Sequence, residues 1–220
     1  MRRAAALGLA LALMGMGATA GEIPRAVVVL ERLGAGPEGE GAPPRFVLLE
    51  DGTVFVGGTS QVLTAKLAGG DLRALERRIA DVRKLPGLQG TTTIGPGEVR
   101  HRLLLRRGRP LQITITGDPE QATALPPLAA LLRDLPRFHH ASLARYVPSQ
   151  YALRARAGAL AGGCRAWPFP DAPESVAFAP RVVSSPQVLG WPTGAAAASV
   201  CAGDKKYVVT LRPLLPGEGP

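Results

Sequence analysis

The sequence contains few of the residues and motifs from which enzyme sites are commonly built. It has two cysteines and three histidines among 220 residues. It has no Gly-x-Ser-x-Gly elbow, no Ser-x-x-Lys motif and no glycine-rich phosphate loop. A zinc site needs four ligands at close spacing, which two distant cysteines and three scattered histidines do not supply. We therefore predict no cofactor and no metal site, and the sequence offers no support for the common nucleophilic hydrolases.

Long apolar runs are also scarce outside the N-terminus. Arg2 and Arg3 precede an apolar run from Ala4 to Met16, and small residues follow at positions 18–20. This order predicts a secretory signal peptide over residues 1–20. The run is shorter than the roughly 20 residues that cross a membrane, and no later segment is long and apolar enough to form a membrane span. We expect a chain without a membrane span that is exported to the periplasm or the cell exterior.

Acidic residues are outnumbered, with 17 Asp and Glu against 26 Lys and Arg, for a net charge of +9. A basic balance attracts nucleic acid, an acidic polysaccharide or a membrane surface. Most of the basic residues are arginines, however, and the chain is rich in alanine, glycine and proline. Because proteins from GC-rich genomes share this composition, two interpretations of the charge, functional and compositional, stay open.

The central feature that is present is a predicted β-hairpin over Arg45–Gly58. Asp51-Gly52 lies between two apolar runs, which predicts a two-residue type I′ turn with Asp51 and Gly52 at the tip. Both faces of the hairpin are apolar, so we expect both to be covered by other parts of the chain. Ile23–Leu33 predicts a strand that precedes the hairpin.

The next part of the chain alternates helical and strand patterns. Apolar residues at helical spacing predict a helix of about 13 residues that begins at Gly70 or Asp71 and ends before Pro86. Val99–Thr116 predicts a second hairpin, and Leu128–Leu135 predicts a second short helix. The order predicts an α+β fold, a mostly antiparallel sheet with two amphipathic helices packed on one face, over residues 21–140.

The C-terminal region, residues 141–220, is predicted to be rich in loops. Tyr146–Arg156 is predicted to be an extended crossover or an edge strand, because Pro148 argues against a central strand. Gly162–Gly203 has a loop-like composition, and in an exported chain Cys164 and Cys201 most simply pair there. Closing that loop would stabilise the fold by about 4 kcal/mol. A final strand over Lys206–Leu211 and a frayed tail complete this region, which we interpret as a disulfide-closed appendage or a second layer on the sheet.

One resemblance rests on the first hairpin and the elements around it. The run R-F-V-L-L-E-D-G-T-V, then a helix, then R-L-L-L-R-R-G-R-P-L-Q-I-T-I and a leucine-rich helix, resembles a family of uncharacterised exported bacterial proteins. These share a hairpin of the form Pro-x-Phe-x-Leu-x-x-Asp-Gly, and the likeness covers Ala26 to Phe138. The chain has Glu50 where a glycine often precedes the aspartate. Because no known activity belongs to that family, the resemblance implies a domain boundary and no chemistry.

The strongest candidate binding surface is the polar face of the second hairpin, which we call the arginine face. Its side chains alternate with apolar ones along two neighbouring strands and could together bind a carboxylate, a phosphate or an acidic glycan. The alternative is a solvated sheet face whose charges prevent aggregation. Nucleic acid is a poor candidate ligand, because no aromatic ring is present there to stack on bases. The residues of the arginine face are Arg100, Arg102, Arg106, Gln112, Thr114 and Thr116.

A second candidate contact surface consists of Trp167 and Trp191, each followed by proline inside the predicted disulfide loop. Exposed tryptophans stack on sugar rings or anchor a protein partner. The alternative is that both fill a small core near the disulfide.

Ionisable residues elsewhere favour structural roles. His139-His140 predicts a surface loop, because adjacent residues point in different directions and no carboxylate neighbours them in sequence. His101 alternates with leucines on an apolar strand face, which predicts a packed, hydrogen-bonded histidine. Glu50 and Asp51 are expected to serve the hairpin turn.

These observations favour an exported, non-enzymatic binding domain for a partner protein or a cell-envelope polymer. One alternative is a hydrolase whose pocket is assembled from dispersed residues, with Glu98, His101 and Asp118 as the groups to test. A second alternative is a structural homodimer that uses an apolar sheet face as its interface. The sequence does not predict the oligomeric state or the ligand.

Overall fold

The computed structural model describes residues 23–34, 42–57, 61–188, 190–192 and 197–219. The predicted signal peptide over residues 1–20 lies outside these ranges. The described residues form a mixed α and β structure dominated by strands, which are arranged in two sheets. The predicted α+β class with mostly antiparallel strands is therefore confirmed in outline. The predicted division at residue 140 stays a prediction.

The larger sheet has eight strands in the order β5-β7-β6-β1-β2-β3-β4-β8. All neighbours are antiparallel except β5 and β7. Its strands are β1 Ala26–Leu33, β2 Phe46–Leu49, β3 Thr53–Gly57, β4 Val62–Lys66, β5 Gly90–Thr93, β6 Arg100–Leu105, β7 Leu111–Thr116 and β8 Ala144–Arg145.

The smaller sheet has five strands in the order β10-β12-β13-β9-β11. Its strands are β9 Gln150–Ala157, β10 Arg165–Ala166, β11 Arg181–Ser184, β12 Ala197–Ala202 and β13 Lys205–Pro213. The α-helices are α1 Gly69–Arg83, α2 Pro126–Asp134 and α3 Ser175–Phe178, and short 3-10 helices occupy Pro119–Gln121, Leu135–Arg137 and Ser185–Val188.

The first hairpin lies inside the larger sheet, as predicted, but its turn differs from the prediction. Gly52 has a φ of 84°, whereas Asp51 does not have a positive φ, so a type I′ turn is excluded. The Gly52 N–H donates to the Leu49 carbonyl at 3.1 Å. The two strands are therefore joined by a turn that is longer than the predicted two residues, and its last residue, Gly52, is left-handed. A Cβ on Gly52 would lie 2.6 Å from the Leu67 carbonyl oxygen, so the turn also needs glycine for space.

One face of the larger sheet packs against α1 and α2. The helices contribute apolar side chains at helical spacing, including Leu75, Ile79 and Val82 from α1. These side chains share one buried cluster with strand residues such as Phe46 and Leu103. The amphipathic pattern therefore identified the buried stripe of each helix correctly, since hydrophobic burial drives this packing.

The opposite face of the hairpin is covered by the C-terminal tail. Val47, Leu49, Phe55 and Val62 form a second buried cluster with Leu215, and Tyr146 packs against it. The prediction that both hairpin faces are covered is confirmed. The prediction of a frayed tail is wrong, because Leu215 is only 6% exposed. This face of the hairpin is thus covered within the part of the chain that the structure describes, and the homodimer alternative stays a prediction.

The smaller sheet corrects the predicted loop over Gly162–Gly203, which contains β10, α3, β11 and β12. The prediction of an edge strand near Tyr146–Arg156 is also wrong, because β9 pairs with both β13 and β11. Pro148 is compatible with this position because β9 begins two residues later. The Cys164–Cys201 disulfide is confirmed, with 5.6 Å between the two Cα atoms.

Candidate functional site

The predicted arginine face is formed by the register of β6 and β7. Arg100 pairs with Thr116, Arg102 with Thr114, and Leu104 with Gln112. Because side chains alternate across a strand, the intervening His101, Leu103 and Leu105 point to the buried face instead. Arg106 directly follows β6, and its backbone N–H donates to the Val27 carbonyl at 2.8 Å. The structure thus brings the predicted residues to one side of the sheet.

A groove of about 530 Å³ lies beside this face and contains half of the predicted residues, Arg102, Arg106 and Gln112. Arg100, Thr114 and Thr116 do not line it. Its floor consists of apolar side chains from β1, β2 and β6, and the C-terminal tail forms the opposite wall together with the segment that precedes β1. We call this cavity the groove; the floor residues are Ala26, Val29, Val47, Leu49 and Leu104, and the wall residues are 23–25 and 215–219.

The tail wall is fixed by specific contacts. The Leu214 N–H donates to the Gln150 carbonyl at 3.0 Å, and the Tyr146 hydroxyl donates to the Leu214 carbonyl at 3.0 Å. The Glu218 carboxylate accepts hydrogen bonds from the Arg212 guanidinium and, at 3.0 Å, from the Leu215 N–H. These contacts hold the tail in a defined position over the sheet.

Arg106, one of the arginines that line the groove, has no carboxylate partner among the described residues. Arg102 Nε lies 2.5 Å from Glu31 Oε2, a pair formed across β1 and β6. The carboxylate of Glu218 is engaged by Arg212. Arg106 reaches only the Ala26 carbonyl, at 3.5 Å, and has no ion pair within the described ranges. An incoming anion would therefore meet an available guanidinium at Arg106, since both acids of the groove already have cationic partners.

A second cavity of about 420 Å³, which we call the tip cavity, lies at the tip of the β6–β7 hairpin. Arg83 Nη1 at the end of α1 donates to the Arg109 carbonyl at 2.7 Å, which joins the helix to the hairpin tip. Sequence reasoning missed this cavity, because Arg83 follows the solvent-facing pattern of its helix. The tip cavity is lined by Arg83, Leu85, 87–90 and 109–112.

Both tryptophans belong to an aromatic cluster in the smaller sheet. The Trp167 and Phe169 rings meet edge to face with centroids 5.1 Å apart, and the Phe169 and Trp191 centroids are 6.4 Å apart. Trp167 Nε1 donates to the Asp171 carbonyl at 2.5 Å. Both tryptophans are half-buried against the core of this sheet. Their geometry resembles the core-filling alternative more than an exposed contact surface.

His101 is buried, as predicted, but neither of its ring nitrogens has a hydrogen-bond partner among the described residues. The expected hydrogen bond is therefore not present in the described part of the chain. The pKa of His101 is lowered to about 4, chiefly by burial and then by the positive charges of Arg32 and Arg45, while the negative charge of Asp118 opposes the shift. Asp118 accepts a hydrogen bond from the Glu120 N–H at 2.9 Å, so it caps a short 3-10 helix.

His140 lies in a turn beside the first turn of α1. Its Nδ1 is 2.7 Å from Ser142 Oγ, and its Nε2 is 3.3 Å from Asp71 Oδ2. The Ser142 N–H also donates to Nδ1 at 3.2 Å, which is a local contact between residues two apart. Sequence reasoning did not connect Asp71 with this turn, because 69 residues separate it from His140. No cluster of three or more metal-ligating side chains occurs in the described part of the chain.

Glu50 and Asp51 occupy the turn of the first hairpin. The Asp51 carboxylate accepts hydrogen bonds from the Thr53 N–H at 3.0 Å and from the Thr53 hydroxyl at 3.0 Å, and it pairs with Lys66. Asp51 therefore serves the turn as expected.

Comparison with protein-family models, curated proteins and solved structures found no match to this chain. Among the described residues no helix is both long and apolar enough to cross a membrane.

Proposed function

We propose that this chain is an exported, non-enzymatic binding domain that holds an anionic segment of its partner in the groove. Export is supported by the N-terminal leader pattern and is compatible with the Cys164–Cys201 disulfide. The observation that carries the binding proposal is the Arg106 guanidinium, which has no carboxylate partner among the described residues and lies at the edge of an apolar floor. A carboxylate beside that guanidinium would gain a charge-assisted hydrogen bond.

The lining of the groove favours a protein segment over a cell-envelope polysaccharide. Sugar rings bind well on exposed aromatic side chains, and the groove lining within the described residues contains none. The floor is instead formed by aliphatic side chains such as Val29 and Leu104. Aliphatic floors suit the apolar side chains of an extended peptide, and the arginines suit its acidic ones.

The test is a binding titration with synthetic peptides of about ten residues, long enough to extend some 33 Å. One peptide alternates Glu with Leu, and the matched peptide has Gln in place of Glu. We expect the acidic peptide to bind more tightly, and we expect Arg106→Gln to weaken it up to about fivefold, the upper range for an exposed charge pair. Binding should also weaken with added salt.

Arg77→Gln is the matched control, because Arg77 is exposed on α1 and lines neither cavity. Equal affinities for the acidic and neutral peptides, or equal losses in Arg106→Gln and Arg77→Gln, would overturn the proposal. Tighter binding of an acidic polysaccharide such as polygalacturonate, with the same dependence on Arg106, would assign the groove to an envelope polymer instead.

The hydrolase alternative is supported by a different group of residues from those expected. Ser142, His140 and Asp71 form a hydrogen-bonded line in which Nδ1 could accept the serine proton while Nε2–H donates to the carboxylate. We rank it second because the Asp71 side chain is 70% exposed and the same Nδ1 also binds the local Ser142 N–H. Labelling by a fluorophosphonate probe that is lost in Ser142→Ala would favour it, and absence of labelling in the wild-type protein would exclude it.

A further inference from the structure

The groove and the tip cavity adjoin each other on the second hairpin. Gln112 lines both of them. Arg106 lines the groove and Arg109 lines the tip cavity, and these residues are three positions apart in the turn. Consecutive Cα atoms are 3.8 Å apart, so the two Cα atoms are separated by at most about 11 Å. A short extended peptide is long enough to reach from one cavity to the other.

The tip cavity has the same mixture of charge and apolar surface as the groove. Its guanidiniums come from Arg83 and Arg109, and neither has an ion pair with a carboxylate in the described ranges. Its apolar lining comes from Leu85, Leu88 and Pro110, and it contains no acidic residue. Two cations without a carboxylate in the described ranges favour an anionic ligand, because each can form a charge-assisted hydrogen bond and Arg83 is already partly removed from water.

One of the two positive charges of the tip cavity, that of Arg83, is held in place before any ligand arrives. Arg83 Nη1 donates to the Arg109 carbonyl, and Arg83 Nη2 is buried without any acceptor in the described structure. This bond joins the hairpin tip to the end of α1 and limits the positions of the Arg83 side chain and of the Arg109 backbone. Binding of an anion would therefore cost little additional conformational entropy in the Arg83 side chain.

We propose that the tip cavity is a second subsite, which binds an acidic side chain of the same partner segment whose neighbouring part occupies the groove. This inference rests on the proposed function and adds to it a two-site partner. The partner segment crosses the hairpin tip over residues 106–110 and carries two carboxylates about four residues apart, since four extended residues span about 13 Å. It is a protein segment, because the tip cavity within the described residues also lacks an aromatic ring for a sugar.

The test compares acidic peptides of two lengths, about four and about ten residues, with alternating Glu and Leu as before. The long peptide should bind more tightly than the short one, because one molecule occupies both subsites. Arg109→Gln should weaken the long peptide roughly threefold to fivefold and leave the short peptide unchanged, whereas Arg106→Gln should weaken both. Arg109 is chosen over Arg83 because its side chain is exposed and its carbonyl contact survives the substitution.

The outcomes separate this inference from the proposed function. If Arg106→Gln weakens both peptides while Arg109→Gln changes neither, the groove stands and the second subsite is overturned. If Arg109→Gln weakens both lengths equally, binding does not depend on crossing the tip and the two-site proposal fails. If the wild-type protein binds neither peptide, the proposed function itself fails. A thermal melt of each variant, with Arg77→Gln as the control, identifies any loss of binding that arises from unfolding.

Discussion

His101 allows a direct test of the packing on the buried face of the larger sheet. In the folded chain its pKa is lowered to about 4, first by burial and then by the positive charges of Arg32 and Arg45. The unfolded chain has the ordinary histidine pKa of about 6.5. Between these two values the unfolded state binds more protons than the folded state. The free energy of unfolding must therefore rise with pH across this window and fall as the pH is lowered through it.

The size of this effect follows from the difference between the two pKa values. A difference of about 2.5 units corresponds to about 3 kcal/mol between pH 7.5 and pH 4, of which about 2 kcal/mol has already been lost at pH 5. His101→Leu should remove this contribution, because leucine carries no proton. The substitution should also stabilise the protein at neutral pH by about 1 kcal/mol or more. It removes two buried ring nitrogens that have no hydrogen-bond partner among the described residues, and no hydrogen bond is lost with them.

The assay is urea unfolding of the wild-type protein and of His101→Leu at pH 7.5, 6, 5 and 4.5, with circular dichroism as the signal. Other groups titrate in both proteins, so the informative quantity is the difference in unfolding free energy between the two at each pH. That difference should grow by about 2 kcal/mol from pH 7.5 to pH 5. His139→Gln, at an exposed site, is the control. A constant difference at all pH values would refute the reasoning that His101 is buried and neutral.

Two further predictions concern the C-terminal region. In a denaturant titration, Leu215→Ala should lower the free energy of unfolding by about 2 kcal/mol. This is at the low end for a buried leucine, because Leu215 belongs to a terminal segment. The control Leu160→Ala, at a position 40% exposed, should change the free energy of unfolding by less than about 0.5 kcal/mol. Equal effects of the two would contradict the packing of the tail. Replacing Cys164 and Cys201 together by serine should lower the free energy of unfolding by about 4 kcal/mol, because the disulfide closes a loop with a sequence separation of 37. An unchanged melting temperature would show that the disulfide is not formed.

The sequence was a good guide wherever the pattern was strong and local. Phe46 and Val54 belong to runs of apolar residues on both strands of the hairpin, and such runs predicted strands buried on both faces. The spacing of Leu75, Ile79 and Val82 predicted the buried stripe of α1. Because these patterns depend only on neighbours along the chain, they are readable without knowledge of the tertiary structure.

Of the smaller sheet, the final strand β13 was predicted and β9 was expected as an extended or edge segment, whereas β10 and β12 were missed because they lack such patterns. β12 has the sequence A-A-S-V-C-A, in which Val200 is the sole β-branched residue, and β10 has two residues. β12 is held by pairing with β13, which contains Val208 and Val209, and β10 is held by pairing with β12. Their conformation depends on pairing with neighbouring strands, which for β10 lie more than 30 residues away in sequence, so their own residues do not reveal it.

The candidate site was likewise predicted only in part from the sequence. The alternation of Arg102 with Leu103 identified the polar face of β6, but nothing local predicted that the tail would lie across the neighbouring strands. The sequence of the tail is typical of a loop, because Pro213 and Pro216 flank its two leucines. Only the tertiary structure shows that Leu215 both fills the cluster on the hairpin and lines the groove.

This double role of Leu215 couples folding to the proposed binding. The groove exists because the tail crosses the outer face of the larger sheet, and the tail stays there because Leu215 and the Tyr146 hydroxyl hold it. An open face of the hairpin would expose Val47, Leu49 and Phe55 to water, so the chain gains stability by closing the face with its own tail. The same closure leaves a groove whose floor is apolar and whose edge carries Arg106. A partner segment that binds there adds buried surface beside the tail, so binding should raise the stability of the tail together with that of the whole fold.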